Sequence, residues 1–140
     1  MIFKEEKRNL FEVDSKYHLV HCISSDCKMG AGIAVEFQKR FKFKNYLLSL
    51  EESLKKHPQV IFCSQVFNLI TKARYWHKPT YESVTECIKI LKKQCELLDV
   101  KYLAMPKIGC GLDRLQWGKV REIVQEEFKD TDIEILVCYL

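Results

Sequence analysis

Long hydrophobic stretches are missing from this 140-residue sequence, and no segment approaches the ~18 consecutive apolar residues of a membrane helix. The first residues, Met-Ile-Phe-Lys-Glu-Glu-Lys-Arg, mix charges at once and offer no apolar core for a secretory signal. Low-complexity tracts, internal repeats and linkers rich in Gly, Pro or Ser are absent as well. These absences predict one domain over residues 1–140 that does not associate with membranes. We expect it in the cytoplasm, and also in the nucleus if the source is a eukaryote.

Metal-binding patterns are missing too. None of the seven cysteines forms a Cys-x-x-Cys pair, and no cluster of Asp, Glu or His in the sequence is suited to a metal site. Cys63, Cys87, Cys95 and Cys138 lie in apolar contexts, where a free cysteine behaves as a small buried hydrophobe. We therefore expect reduced core cysteines in a reducing compartment, with no disulfide framework, no metal and no cofactor.

A strong excess of one charge sign is also lacking. The 23 basic and 19 acidic residues give a formal net charge of +4. This mild positive charge suits an anionic ligand. It is too weak to predict nucleic-acid binding, which usually goes with a clustered basic patch and a higher isoelectric point.

The spacing of hydrophobic residues predicts strands that alternate with helices. Strands are predicted at residues 18–23, 60–63, 66–70, 101–105 and 133–139, and helices at 30–41, 45–56, 80–98 and 116–128. This alternation predicts an α/β fold with a largely parallel sheet and helices on both faces. In such sheets, ligands bind in loops beyond the carboxyl ends of the strands.

Two glycine-containing loops follow predicted strands. Residues 24–32 read Ser-Ser-Asp-Cys-Lys-Met-Gly-Ala-Gly, and residues 107–113 read Lys-Ile-Gly-Cys-Gly-Leu-Asp. Glycine lets backbone amides approach a phosphate closely, and a helix N-terminus favours negative charge. Each loop alone could be an ordinary connection made of turn-forming residues. Because both fall at the same edge of the sheet, together they predict a phosphate-containing ligand.

Two charged side chains are candidates for the chemistry. Lys72 ends a predicted strand and Asp113 ends the second glycine loop, so both fall on the rim of the expected crevice. Most lysines are solvated surface charges, and Asp113 could simply close a turn. We expect the positive charges of Arg74 and Lys78, with partial desolvation, to favour the neutral amine that a lysine nucleophile requires. Cys110 is a weaker candidate nucleophile because no histidine lies near it in the sequence.

The remaining conspicuous residues have structural interpretations. His21 lies within an apolar strand and is predicted to be a buried core histidine. Trp76 and His77 are loop residues that could shape the rim of the crevice. Trp117, at the start of a predicted helix, is expected to pack rather than to stack on a ligand.

Several ordered stretches of the sequence resemble macrodomains, and within that family the terminal ADP-ribose protein glycohydrolase branch. The resemblance covers nearly the whole chain. The matching stretches are His21-Cys-Ile-Ser24 with Asp26-Cys27, Met29-Gly-Ala-Gly-Ile-Ala34, Leu69-Ile-Thr-Lys72, His77-Lys-Pro-Thr-Tyr-Glu82, Met105-Pro106 and Ile108-Gly-Cys-Gly-Leu-Asp-Arg-Leu-Gln-Trp117.

The resemblance implies a macrodomain-like three-layer α/β/α fold, whose mixed sheet lies between helices and which binds ADP-ribose in a surface crevice. It implies removal of ADP-ribose from acidic side chains and deacylation of O-acyl-ADP-ribose. Lys72 resembles the catalytic lysine that attacks the anomeric carbon of the distal ribose, and Asp113 the carboxylate that assists proton transfer and resolves the lysine adduct. The implied ligand-binding residues are Asn9, Leu10, Ser24, Met29, Gly30, Ala31, Gly32, Thr71, Ile108, Gly109, Cys110, Gly111, Leu112 and Leu140.

One position departs from the family pattern. Where the family has Gly-Asp-Leu after the first strand, this chain has Arg8-Asn9-Leu10. The aspartate of that pattern contacts the adenine amino group. Asparagine can still accept a hydrogen bond there, but without the charge. The change therefore bears on adenine affinity and not on the catalytic pair.

Two other functions stay open at this point. Many macrodomains only bind ADP-ribose, although such a reader does not need both Lys72 and Asp113. Other members remove ADP-ribose from thymidine bases in DNA, as the antitoxin of a toxin pair. The expected partners are therefore ADP-ribose and ADP-ribosylated macromolecules, either protein or DNA, and the chain is expected to be a monomer.

Overall fold

The computed structural model describes residues 1–111 and 113–140, so the predicted ligand residue Leu112 lies outside the described residues. These residues form six strands and four α-helices. The strands are β1 (Ile2–Lys7), β2 (His18–Ser24), β3 (Gln59–Cys63), β4 (Val66–Lys72), β5 (Tyr102–Met105) and β6 (Glu134–Tyr139). The helices are α1 (Ile33–Phe41), α2 (Lys44–Ser49), α3 (Tyr81–Leu98) and α4 (Trp117–Phe128), with short 3-10 helices at Leu10–Glu12 and Glu52–Lys55.

The strands form one sheet in the order β1-β6-β5-β2-β4-β3. All neighbouring strands run parallel except β3 and β4, which are antiparallel. A two-residue connection joins β3 to β4, and its residues Ser64 and Gln65 both have positive φ, the geometry of a type I′ hairpin turn. The mixed, mostly parallel sheet expected for this chain is thereby confirmed.

The sheet lies between two layers of helices. On one face, α3 and α4 pack on the strands through buried aliphatic and aromatic side chains, among them Ile88, Leu91 and Phe128. On the other face, α1 and α2 do the same with Phe37 and Leu47. Because each helix places apolar residues three and four positions apart on one side, each can bury only that side. The three-layer α/β/α arrangement is confirmed. Across the described residues, no helix has both the length and the hydrophobicity of a membrane span.

His21 of β2 is buried between the sheet and α1, as predicted. Its ring stacks on Phe37 with the ring centroids 3.9 Å apart, and its Nε2 is 2.6 Å from Oδ1 of Asn68. Burial lowers the pKa of His21 to about 4, because desolvation outweighs the hydrogen bond to Asn68, which acts to raise it. The imidazole is therefore a neutral part of the core.

Some element boundaries differ from the prediction. Helix α1 begins at residue 33 and not at residue 30, because Gly32 at its N-cap has a φ of 62°. The helix predicted at 45–56 is interrupted, since Leu50 has extended backbone and separates α2 from the second 3-10 helix. Strand β1 was implied only by the resemblance, because its sequence Ile-Phe-Lys-Glu-Glu-Lys alternates weakly. Cys63 is partly exposed and not in the core, because β3 is an edge strand.

Candidate active site

A cleft of about 720 Å³ lies beyond the carboxyl ends of β2, β4 and β5. This volume is within the range of small-molecule sites, roughly 300–1,000 Å³. The loop after β2, the end of β4 and the loop after β5 form its walls. The cleft brings together ten of the predicted site residues: Ser24, Met29, Gly30, Ala31, Gly32, Lys72, Ile108, Gly109, Gly111 and Asp113.

The two predicted catalytic side chains contact each other. Nζ of Lys72 donates a hydrogen bond to Oδ1 of Asp113 at 2.5 Å, and the two groups form an ion pair. Their side chains are 13% and 16% exposed, so both are largely shielded from solvent while still reaching the cleft. A carboxylate in this position can accept a proton from the lysine ammonium group. The pair therefore has the parts of a nucleophile and its general base.

The loop after β2 leads into the N-terminus of α1. Ile33 and Ala34, in the first turn of this nine-residue helix, line the cleft, and the N-cap position is held by Gly32, which has no side chain. The first N–H groups of a helix lack intrahelical partners and carry partial positive charge. This end of the cleft is therefore suited to an anionic group such as a phosphate.

Asp26 holds the loop after β2 in place. Its Oδ1 accepts hydrogen bonds from the Ser24 hydroxyl and from the Lys28 N–H, and its Oδ2 accepts one from the N–H of Tyr75 at 2.9 Å. Burial acts to raise the pKa of Asp26, but these hydrogen bonds outweigh it and the pKa is lowered. Asp26 is thus a stable carboxylate that ties the loop after β2 to the loop after β4. A second tie runs from the Ser25 N–H to the carbonyl of Lys72, at 2.9 Å.

The loop that carries Asp113 is folded back on itself. The Leu115 N–H donates to the carbonyl of Gly109 at 2.8 Å, and Gly109 has a φ of +75°, a region that favours glycine. A Cβ at this position would lie 3.0 Å from Cδ1 of Leu115. At the other end of the loop, the Gln116 N–H donates to the hydroxyl of Tyr81 at 3.0 Å. Both ends of the Asp113 loop are therefore fixed by hydrogen bonds.

Three predicted ligand residues, Asn9, Leu10 and Leu140, do not line the cleft. Asn9 and Leu10 follow β1, and Leu140 follows β6. Oδ1 of Asn9 accepts a hydrogen bond from the Phe11 N–H at 2.9 Å and so caps the first 3-10 helix. Leu10 is buried in the core, and Leu140 is 91% exposed. Their contact with a ligand stays a prediction.

Two further predicted residues also lie outside the lining. Thr71 is buried, and its hydroxyl has no hydrogen-bond partner among the described residues. The Cys110 thiol is partly buried and lies 3.2 Å from the carbonyl of Ile108. Burial raises the pKa of Cys110, so it is mostly a protonated thiol near neutral pH and a poor nucleophile.

Sequence reasoning misjudged the cations around Lys72. Arg74 and Lys78 are exposed to solvent and do not line the cleft. Lys28 and Lys107 line it instead. Each belongs to one of the two glycine-containing loops, and that position in the sequence is the signal that could have identified them. The ammonium groups of Lys28, Lys72 and Lys107 suit the negative charge of a diphosphate. The described residues contain no group of three or more His, Cys, Asp or Glu that could hold a metal ion.

The sequence and the fold are similar to those of known proteins. The Macro domain family model matches residues 20–124. Bovine and human proteins named ADP-ribose glycohydrolase OARD1 are 46% and 44% identical over 138 residues, which are 96% of this chain and 89% of each relative. The solved macrodomain of Thermus aquaticus DarG has a TM-score of 0.86 at 23% identity, and covers 99% of this chain and 98% of its own.

Proposed function

The chain belongs to the macro domain family, and on this premise we propose that it is an ADP-ribosyl hydrolase that releases ADP-ribose from glutamate and aspartate side chains. The activity class rests on the relatives named ADP-ribose glycohydrolase, which share 44–46% of its residues over almost its full length. The observation that carries the chemistry is the 2.5 Å contact between Lys72 and Asp113 in a cleft of suitable volume.

In the first proposed step, Lys72 is the nucleophile. Its ammonium group transfers a proton to Asp113, and the free amine attacks the anomeric carbon of the distal ribose. A C–N bond forms while the C–O bond to the modified side chain breaks. The carboxylate of that side chain leaves with the bonding electron pair, and because it is a good leaving group no further acid is needed.

In the second proposed step, Asp113 resolves the adduct. Its carboxyl group first passes its proton to the carboxylate that has left, because the nitrogen of the adduct is already a positively charged ammonium. The Asp113 carboxylate then takes a proton from a water molecule that attacks the anomeric carbon, and the C–N bond breaks with its electron pair on nitrogen. Free ADP-ribose is released, and the proton passes from Asp113 to the lysine amine, which restores the ion pair. The Lys72–Asp113 contact supports this assignment because one carboxylate is within reach of the nitrogen in both steps.

We propose that the diphosphate part of the ligand lies on main-chain atoms of the two glycine-containing loops. Residues 30–32, before α1, and residues 108–111 flank the cleft and offer amide groups and glycine surface to a diphosphate. Lys28 and Lys107 would add positive charge on either side. An O-acyl ester carried by the distal ribose would reach the same pair, so we also propose deacylation of O-acyl-ADP-ribose.

Release of free ADP-ribose from a protein modified on glutamate tests the proposal, with the wild type beside Lys72→Ala. Release by the wild type alone supports a hydrolase with Lys72 in its chemistry. Binding of ADP-ribose without release by either protein would point to a reader or to a hydrolase of ADP-ribosylated thymidine in DNA, and ADP-ribosylated thymidine would then be the next substrate to test. Its cytoplasmic location and monomeric state stay predictions from the sequence.

A further inference from the structure

Asp26 carries a negative charge on a loop that is otherwise suited to an anion. It lies between the end of β2 and the glycines that precede α1, and it does not line the cleft itself. A carboxylate at this place repels a diphosphate and so acts against its binding. Among the described residues, no lysine or arginine forms an ion pair with Asp26. Its charge therefore needs an explanation other than attraction of the ligand.

The Asp26 carboxylate accepts hydrogen bonds from two separate segments. Oδ1 faces its own loop, where it accepts from the Ser24 hydroxyl and from the Lys28 N–H at 3.3 Å. Oδ2 accepts from the Tyr75 N–H at 2.9 Å, and Tyr75 is 49 positions away in the chain. Because each oxygen binds a different segment, the carboxylate fixes the position of one segment relative to the other.

The loop after β2 has a strained backbone that needs such support. Cys27 and Met29 have φ angles of 55° and 46°, in the left-handed region that is costly for residues other than glycine. Both side chains are buried in the layer of α1 and α2, and Lys28 between them lines the cleft. Strained conformations persist only where the surrounding contacts over-determine them. The bond from the Lys28 N–H to Asp26 supplies one of these contacts in the middle of the strained segment.

The same loop also holds the end of β4, where Lys72 lies. Ser24 and Lys72 are partners in the register of β2 and β4. The Ser25 N–H donates to the carbonyl of Lys72 at 2.9 Å. Three positions further along the chain, the Tyr75 N–H is held by Asp26. The main chain that carries Lys72 is therefore tied to the loop after β2 at the lysine itself and again just beyond it.

We propose that Asp26 is a positioning residue, which sets the Lys72 amine at attack distance from the anomeric carbon when the diphosphate lies on the loop after β2. The distal ribose is bonded to the diphosphate, so a ligand held there presents its anomeric carbon at a limited reach. A misplacement of about 1 Å between reacting groups can lower a rate about 100-fold. This role rests on the proposed function, because it takes Lys72 as the nucleophile.

Reductive trapping of free ADP-ribose measures this placement without an ester substrate. The open-chain aldehyde of ADP-ribose condenses with the Lys72 amine to an imine, and one water molecule leaves. Cyanoborohydride then delivers a hydride to the imine carbon and a proton from water goes to the nitrogen, so a stable secondary amine forms. Mass spectrometry of the intact protein gives the trapping rate at saturating ADP-ribose, with Lys72→Ala as the blank. Calorimetry gives Kd.

Replacing Asp26 should separate the rate from the affinity. In Asp26→Ala we expect the trapping rate to fall at least about 10-fold, because the amine is no longer aligned with the bound ribose. We expect Kd to stay within about three-fold of the wild type, because a repelling charge is lost together with the order of the loop. Asp14→Ala is the matched control and should change neither value. Oδ1 of Asp14 also accepts from an N–H two positions on, that of Lys16, but Asp14 does not line the cleft.

The hydrogen bond between Tyr75 and Asp26 can also be removed from its donor end. Tyr75 is the second residue of a turn that the His77 N–H closes on the carbonyl of Arg74 at 3.0 Å, and proline is common at this position. Tyr75→Pro removes the N–H, whereas the reference Tyr75→Ala removes only the ring. We expect trapping in Tyr75→Pro to be at least about three-fold slower than in Tyr75→Ala. Adding Asp26→Ala should then slow trapping less in the proline variant than in the alanine variant, because the two changes remove the same bond.

The outcomes distinguish this role from the proposed function. A Kd in Asp26→Ala that weakens as much as trapping slows would make Asp26 a binding-loop residue and overturn the positioning role. Equal trapping in Tyr75→Pro and Tyr75→Ala would overturn it as well, and this comparison decides even if Asp26→Ala does not fold. Wild-type protein that is not trapped at Lys72 would also overturn it. Trapping that responds as expected, without release of ADP-ribose from modified glutamate, would support the positioning role and overturn the hydrolase of acidic side chains.

Discussion

Lys72 and Asp113 are 41 positions apart in the chain, yet Nζ of one lies 2.5 Å from Oδ1 of the other. Lys72 ends β4, and Asp113 lies in the loop after β5. Strand β2 separates these two strands in the sheet, so the contact bridges the end of β2. Hydrogen bonds fix both members of the pair. The carbonyl of Lys72 accepts from the Ser25 N–H in the loop after β2. The Asp113 loop is fixed by two bonds, one to the Gly109 carbonyl and one to the Tyr81 hydroxyl.

Replacing Lys72 should remove turnover and spare binding. In Lys72→Ala the nucleophile is lost, and we expect kcat to fall on the order of 1,000-fold or more. Calorimetry should still detect ADP-ribose binding. Lys107→Ala is the matched control, because it removes a cation from the same cleft without removing the nucleophile, and it should mainly weaken binding. Turnover that survives in Lys72→Ala would exclude the lysine from the mechanism.

Replacing Asp113 should slow the second chemical step. Among the described residues, Asp113 supplies the side chain in hydrogen-bond contact with Nζ of Lys72, so in Asp113→Ala no neighbouring carboxylate activates water for the second step. Solvent can still remove the proton of Lys72 slowly, so a covalent lysine adduct should form and accumulate. Mass spectrometry of the intact protein after mixing with substrate would show the added ADP-ribose, and the double variant Lys72→Ala/Asp113→Ala should not gain it. Normal turnover with no adduct would reduce Asp113 to a turn residue.

Replacing Asn9 by aspartate should tighten ADP-ribose binding. An added charge on one hydrogen bond contributes on the order of 1 kcal/mol, or about five-fold in Kd. Aspartate also keeps the oxygen that accepts from the Phe11 N–H, so the first 3-10 helix should be preserved. Asn9→Ala loses this cap and serves as the control for stability. An unchanged Kd by calorimetry in Asn9→Asp would show that the adenine is held elsewhere.

Stability should fall as the pH is lowered below about 6.5, partly because of His21. Its pKa is about 4 when folded and about 6.5 when unfolded, so the unfolded chain binds more protons in this interval. The contribution of neutral His21 to the free energy of unfolding is fully present only well above pH 6.5. About 2 kcal/mol of that contribution should be lost between pH 7 and pH 5. Burial also lowers the pKa of His18, which adds in the same direction.

Urea unfolding at several pH values measures this effect. In His21→Leu the free energy of unfolding should be lower at pH 7, because Asn68 loses its partner, but should depend less on pH. His57→Gln changes an exposed histidine and should keep the slope of the wild type. An identical slope in His21→Leu would contradict the assignment.

A side chain at Gly109 should strain the Asp113 loop. Gly109→Ala places a Cβ where φ is +75° and where Leu115 is only 3.0 Å away, so we expect a loss of about 1–2 kcal/mol of stability and a lower kcat. Gly111→Ala is the stability control, because a Cβ there would meet no atom within 4 Å. Thermal unfolding of the two variants compares them directly, and equal stability would argue against strain at Gly109.

Most of the fold followed from spacing along the chain. Strong apolar runs such as residues 66–70 and the regular helix at 80–98 were predicted close to their bounds, because buried strands and one-sided helices leave a clear pattern. Strand β1 left little pattern, since it is an edge strand whose last four residues, 4–7, are all charged. The break at Leu50 depends on a local backbone change that hydrophobic spacing does not record.

The site was predictable where it depended on topology and less so where it depended on side-chain direction. The strand-end rule placed Lys72 and Asp113 at one edge of the sheet, and the structure brings them into contact. The same rule cannot say which neighbouring cations face the cleft. Arg74 and Lys78 are exposed to solvent after β4, whereas Lys28 and Lys107 line the cleft from the two glycine-containing loops.

The hydrogen bond from Tyr75 to Asp26 has a consequence for how this protein can diversify. Its donor is a main-chain N–H, which every residue except proline supplies, so the bond does not depend on the side chain at position 75. Mutations at positions 75 and 76 can therefore accumulate without displacing the backbone that leads back to Lys72. In a lineage built this way, selection can change the macromolecule that is cleared of ADP-ribose while the reaction itself is inherited intact.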